Sequence, residues 1–152
     1  MKILILDVDG VLNDNNTKVR FTEHGVKFIG VDKSKLVLLN KIVKATNAKI
    51  VMSSTWRIHP VAMKYLRNKM KKVDENLGNS IIGYTPFLND EPRSVEIDTW
   101  LIENQDQVDR YVIIDDYDEG LSTTFGSRFV QTYVLGLTEA DVEKCINLLG
   151  KE

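Results

Sequence analysis

Three polar clusters in this chain each follow a short apolar run. Asp7-Val8-Asp9-Gly10 follows Ile3–Leu6, Ser53-Ser54-Thr55 follows Ile50–Met52, and Asp115-Asp116-Tyr117-Asp118 follows Tyr111–Ile114. Runs of this kind suit strands buried on both faces. Where such strands lie parallel, their carboxyl ends share one edge of the sheet, and ligands bind there. Residues far apart in sequence are thereby predicted to converge. Converging carboxylates repel one another unless a cation sits among them, and an oxygen-only donor set favours Mg²⁺. A site of that kind suits phosphoryl transfer: the metal neutralises phosphate charge and a carboxylate attacks phosphorus. Asp7 and Asp9, two positions apart on one loop, can divide the work, one attacking while the other shuttles a proton. Gly10 allows the backbone to approach a phosphate closely.

Each cluster has a plainer reading when taken alone. Asp and Gly are ordinary turn residues after a strand, and Asp115-Asp116 alone reads as a solvated turn. The first cluster also resembles part of a calcium loop. That loop needs its glycine sixth and a bidentate Glu twelfth, whereas here Gly10 stands fourth and Lys18 twelfth. It is the three strand ends together that point to a site.

The elements that must position these groups can be read from periodicity. Besides the three strands, Ile81–Tyr84 and the weaker Phe129-Val130 read as strands. Leu36, Leu39 and Val43 share a helical face behind Asp32 or Ser34, either of which can cap. Ala62, Leu66, Met70 and Val73 form a second stripe. Ile97, Trp100 and Leu101 form a third, with Asp90 and Pro92 as start signals. Val142, Cys145, Ile146 and Leu149 form a fourth, opened by a Thr138-x-x-Asp141 capping pattern and closed by Gly150. Strand and helix alternate, which predicts an α/β domain over residues 1–152 with a doubly wound parallel sheet. Residues 13–31 break the alternation. They read as a turn at Asn13–Asn16 and a small hairpin, Val19–Gly30, around His24-Gly25, that is, a flap rather than a cap.

Composition narrows the partners. The chain has 152 residues, 43% hydrophobic and 28% charged, which fits a globular protein and argues against disorder. Its net charge of −2 provides no bulk attraction to nucleic acid or to an anionic membrane, so any such affinity must come from a local patch. Residues 57–72 supply one, with Arg57, Lys64, Arg67, Lys69, Lys71 and Lys72 and no acid. Arg57 lies close enough to Ser53 to clamp a phosphate, whereas Lys69–Lys72 read as the solvated face of a helix. Trp56, Trp100 and the more exposed Tyr117 are candidates for stacking on a base, with a core role favoured for Trp100. Cys145 is the one cysteine and reads as a core residue, and His24 and His59 read as surface residues, His59 being near enough to Arg57 to meet substrate. No leader and no apolar stretch approaching the ~20 residues of a membrane span is visible, so a cytoplasmic location is expected.

These residues resemble a family. Asp7-Val8-Asp9-Gly10-Val11-Leu12 is similar to the first motif of the haloacid-dehalogenase superfamily. Ser53 is similar to its second motif and Ile113-Ile114-Asp115-Asp116 to its fourth. The nearer resemblance is to phosphatase domains of Swiss-army-knife RNA-repair proteins and, more distantly, to polynucleotide kinase 3′-phosphatase domains. It rests on Ser53-Ser54-Thr55-Trp56-Arg57, on Arg93-Ser94-Val95-Glu96-Ile97-Asp98-Thr99-Trp100-Leu101, on Asp115-Asp116-Tyr117-Asp118, on Val130-Gln131-Thr132 and on Gly136-Leu137-Thr138. The resemblance implies a Rossmann-like fold and a Mg²⁺-dependent phosphohydrolase. Asp7 would be nucleophile and metal ligand. Asp9 would be general acid, then base, with its backbone carbonyl on the metal. Ser53 would hydrogen-bond the phosphoryl group, and Arg93, in place of the family's usual lysine, would offset its charge. Asp115 would hold the metal directly or through water, with Asp116 as its close support; either of the pair could be the direct ligand.

Two other activities share these features: a small-molecule phosphatase such as a nucleotidase, and a receiver-like domain whose aspartate keeps its phosphoryl group. Asp9 beside Asp7 favours turnover over a lasting mark. A non-catalytic module would lack the nucleophile. Leu12–Asp32 and Ser53–Arg93 leave no room for a large cap, so an open site is expected. Such a site cannot enclose a small ligand, which favours a phosphorylated RNA or DNA end, above all a 3′-phosphate, held by salt-sensitive contacts to the basic run.

Overall fold

The computed structural model describes residues 1–152. Five strands form one parallel sheet in the order β5-β4-β1-β6-β7. They are β1 (Lys2–Leu6), β4 (Lys49–Met52), β5 (Ile81–Tyr84), β6 (Arg110–Asp115) and β7 (Phe129–Gln131). The apolar runs are continuous because both sheet faces are covered. Leu4 and Leu6 of β1 join a large core cluster, whereas Ile3 and Ile5 join a smaller one on the opposite face. The large cluster is completed by α1 (Lys33–Thr46), α2 (Pro60–Val73) and α6 (Glu139–Leu149). The smaller one is completed by α4 (Arg93–Glu103) and α5 (Leu121–Phe125). This is the expected doubly wound α/β sheet. A further short helix, α3 (Glu75–Gly78), leads into β5.

The helix signals hold with one change. Thr138 and Asp141 form the reciprocal capping box of α6, and Gly150 ends that helix at φ 83°. Asp32 sits at the N-cap of α1, but its side chain makes no cap bond. It instead accepts from the Thr17 hydroxyl at 2.7 Å, which ties the loop after β1 to the helix start.

Residues 13–31 contain an antiparallel hairpin of β2 (Arg20–Glu23) and β3 (Val26–Ile29). Its two-residue turn uses His24 at φ 48° and Gly25 at φ 77°, the backbone such a hairpin demands. Glu23 is buried and its carboxylate accepts from the N–H groups of Val61 (3.3 Å) and Ala62 (3.2 Å). An anion at a helix start is favourable, so the hairpin is fastened to α2. Phe21 and Phe28 pack against Trp56 at 5.7 and 5.4 Å between ring centres. His59 is half-buried against Phe28 rather than fully at the surface. No helix is long and apolar enough to cross a membrane.

Candidate active site

Strand register brings the polar clusters together. Leu6 pairs with Met52 on one side and Ile114 on the other, so the residues that follow each strand end side by side. The Asp7 N–H donates to Ile114 O and the Ser53 N–H to Leu6 O, both at 3.0 Å. Carboxylate oxygens of Asp7, Asp115 and Asp116 lie within 4.8 Å of one another. Asp7 and Asp115 are buried and Asp116 is exposed.

Arg93 is the cation this cluster needs. It is the first residue of α4, and its Nη1 lies 2.6 Å from Asp115 Oδ2 and 3.3 Å from Asp7 Oδ1. Burial alone would pull the guanidinium down, but Asp7 and Asp115 outweigh it and hold Arg93 above its ordinary value. One arginine does not neutralise three carboxylates. Burial, and then Asp115, pushes the Asp7 carboxyl well above the usual range, against the opposing pull of Arg93. Asp116 is also raised, first by partial desolvation and then by its contact with Asp115. The donor set therefore fits a hard divalent cation: oxygen ligands only, gathered closely, and short of positive charge.

Both carboxyls titrate higher in the folded chain than in the unfolded one, so the metal-free protein holds extra protons. Its stability should fall as pH rises from the ordinary carboxylate range through these raised values. Asp116→Asn removes one of the repelling charges. It should raise the melting temperature in chelator by about 2–4 °C for each kcal/mol of repulsion relieved. It should also shrink the rise that Mg²⁺ produces in the wild type. Calorimetry with and without Mg²⁺ measures both, and a variant that is less stable in chelator would contradict this account.

Asp9 stands apart from the carboxylate cluster and is exposed. Its orientation is set by two residues. Trp56 Nε1 donates to both of its oxygens (3.3 and 3.2 Å), and Asn13 Nδ2 donates to Oδ1 at 3.0 Å. Asn13 is itself buried and also donates to Ile29 O and Gly30 O at the end of the hairpin. In sequence Asn13 reads only as a turn residue. Its only signal was its place four residues after Asp9, near enough to reach back.

Two expectations need correction. Trp56 cannot stack on a base, because it is fully buried; it holds Asp9 instead. Arg57 cannot clamp a phosphate. Its Nε donates to Thr85 O, its Nη1 to Ser53 O and Ser54 O, and its Nη2 to Pro86 O. The same Nη2 pairs with Glu96 at 3.1 Å, and the Arg57 side chain is only 3% exposed. Arg57 thus ties the loop after β4 to the loop after β5 and to α4. Gly10 lines the cleft beside the cluster, and its N–H donates to Asn13 Oδ1 at 2.9 Å. Its φ is 78°, and a Cβ there would come within 2.2 Å of Asp116 Oδ2. Gly10 makes room for a carboxylate.

Ser53 is fully buried, and its hydroxyl has no hydrogen-bond partner in the protein. Such a group is costly to bury, and its hydrogen-bonding capacity is unmet within the protein. Asp118, fourth in its cluster, caps α5 by accepting from Ser122 N at 2.9 Å. Thr132 donates to Gly10 O at 2.8 Å and fixes the β7 loop against the loop after β1. Trp100 and Cys145 are core residues, and burial pushes the Cys145 thiol up to about 12. Tyr117 is 68% exposed.

A cleft of about 480 Å³ opens beside the cluster, lined by Asp9, Gly10, Asn13, Asp116, Thr132 and Tyr133 among others, with no lysine or arginine. A second recess of about 310 Å³ lies on the Arg93 side, with Phe87 and Glu119.

The family model describing the HAD domain in Swiss Army Knife RNA repair proteins matches residues 3–142. No curated protein and no solved structure matches the chain.

Proposed function

The chain belongs to the family of HAD domains in Swiss Army Knife RNA repair proteins, a membership that implies phosphohydrolase chemistry, and from that premise we propose a Mg²⁺-dependent phosphatase working through Asp7 on a phosphorylated polynucleotide end. The observation that carries this is the carboxylate cluster of Asp7, Asp115 and Asp116 with Arg93 against it. Asp7, Asp115 and Asp116 would hold the ion, which when bound offsets the negative charge of the phosphoryl oxygens.

The chain's own groups do the rest. A carboxylate oxygen of Asp7 attacks phosphorus as the bond from phosphorus to the leaving oxygen breaks. Asp9 gives its proton to that oxygen, leaving an acyl phosphate on Asp7 and a free alcohol. Water then attacks the same phosphorus while Asp9 takes its proton, releasing inorganic phosphate and restoring the Asp7 carboxylate. Ser53, with its unpartnered hydroxyl, donates to a phosphoryl oxygen. Arg93 offsets the charge that builds up there.

Arg93→Ala should lower kcat by about 10²–10³, the usual cost of one charge-stabilising donor. It also leaves Asp7 and Asp115 without their cation, a loss of about 3–5 kcal/mol for a buried pair. Arg93→Lys should recover part of both. A folded Arg93→Ala variant with normal turnover would show that another group fills the role.

The basic run on α2 does not reach the cleft through Arg57, and the cleft lining is acidic and amidic. Steep salt dependence is therefore no longer expected. The test compares kcat/KM for a 3′-phosphorylated oligonucleotide with that for the matching mononucleotide, with Mg²⁺ or chelator. A clear preference for the oligonucleotide supports the reading. Equal values favour a small-molecule phosphatase, and no phosphate release from either overturns both.

A further inference from the structure

Tyr133, Val134 and Leu135 form an apolar tip that the fold holds out into solvent. They are 72%, 86% and 63% exposed. A loop free to move would fold such residues away, but this one is pinned at its base. Tyr133 and Gly136 form a bridge across a tight turn, with Gly136 at φ 66°. Leu137 is fully buried, and its N–H donates to Val11 O at 2.9 Å. A Cβ on Gly136 would come within 2.9 Å of that same Val11 oxygen. The tip is thus fixed to the loop that carries Asp7 and Asp9. Exposed apolar groups held in place mark a contact surface.

The chemistry decides which part of a substrate meets it. Asp9 must lie beside the leaving oxygen to protonate it. The body of the leaving alcohol therefore extends on the Asp9 side of the cluster, not on the Arg93 side. Tyr133 and Val134 are among the residues that line the Asp9 cleft, whereas the Arg93 recess is lined by neither Asp9 nor the tip. For a nucleotide 3′-phosphate the leaving alcohol is the terminal nucleoside. The cleft supplies no basic side chain to attract its backbone, so affinity must come from an uncharged face of that nucleoside. A base offers one, and stacking on an aromatic ring tolerates any sequence.

Resting on the phosphatase reading above, we propose that Tyr133 is the stacking platform for the terminal nucleobase of a 3′-phosphorylated strand, with Val134 flanking it. Tyr133 Oη lies 3.5 Å from Gln131 Oε1, and Gln131 Nε2 donates to Asp116 O at 3.2 Å. Gln131 thus lies between Tyr133 and the carboxylate loop.

The experiment uses the full chain and three substrates: a 3′-phosphorylated oligonucleotide, the same strand with an abasic 3′-terminal residue, and para-nitrophenyl phosphate. Tyr133→Ala should raise KM for the normal oligonucleotide by about 5- to 150-fold, the range given by loss of one base stack. It should leave kcat unchanged, on the oligonucleotide and on para-nitrophenyl phosphate alike. The abasic strand should cost the wild type a similar factor and the variant nothing further. Tyr133→Phe should behave as the wild type. Equal KM values for wild type and Tyr133→Ala on the normal strand overturn the proposal while leaving the phosphatase reading intact, as would a cost for the abasic strand that persists in the variant. Loss of para-nitrophenyl phosphate turnover would make Tyr133 a structural support of the site and also overturn it. A wild type that hydrolyses para-nitrophenyl phosphate but neither oligonucleotide removes the polynucleotide reading, and this inference with it.

Discussion

Asp7→Asn is expected to reduce phosphate release by at least about 10⁴-fold, the scale on which loss of an enzyme's nucleophile is felt. Asparagine keeps the shape of aspartate but has no anionic oxygen to attack phosphorus. The fold should survive, because the change removes one of three crowded carboxylates and leaves Arg93 its 2.6 Å contact with Asp115. The melting temperature in chelator should therefore be equal or higher. Acid quenching during turnover of a ³²P-labelled substrate should leave label on the wild-type chain and none on the variant. A variant that folds and turns over within about tenfold of wild type would remove Asp7 from the reaction.

Asp9→Asn should cost about 10²–10⁴-fold, and the cost should depend on the leaving group. It should be largest for an alkyl phosphate, whose alkoxide needs a proton, and small in the first step for para-nitrophenyl phosphate, whose phenolate does not. Trp56→Phe offers a finer test. It keeps a ring against Phe21 and Phe28 but loses the indole N–H that holds Asp9. A poorly placed acid can cost up to about 10²-fold, and the loss should follow the same leaving-group trend, in kcat rather than KM. A uniform loss across leaving groups would mean that Trp56 supports the core and nothing more.

Most of the architecture was legible because two-faced burial leaves a plain mark. Ile3–Leu6 and Tyr111–Ile114 must be apolar on consecutive residues when helices cover both sides. The chemistry at the strand ends was legible for a related reason. In a parallel sheet, the residue after each apolar run can only emerge at the common edge, so Asp7, Ser53 and Asp115 were bound to meet once the strands paired. The hairpin turn at His24-Gly25 was also readable, since few residue pairs accept that backbone.

What the sequence could not show is how each long side chain spends its hydrogen bonds. Arg57 and Arg93 look alike along the chain, each near a strand end and each basic. Arg57 meets four backbone carbonyls and Glu96, whereas Arg93 meets two carboxylates of the site. Trp56 reads as an aromatic near a site and proves to be a buried donor. Asn13 reads as a turn and proves to hold Asp9. Composition and strand order, set by local periodicity, decide which residues arrive at the edge. Which of them face the cleft is decided by competition for partners among loops distant in sequence, and that competition exists only once the chain has folded.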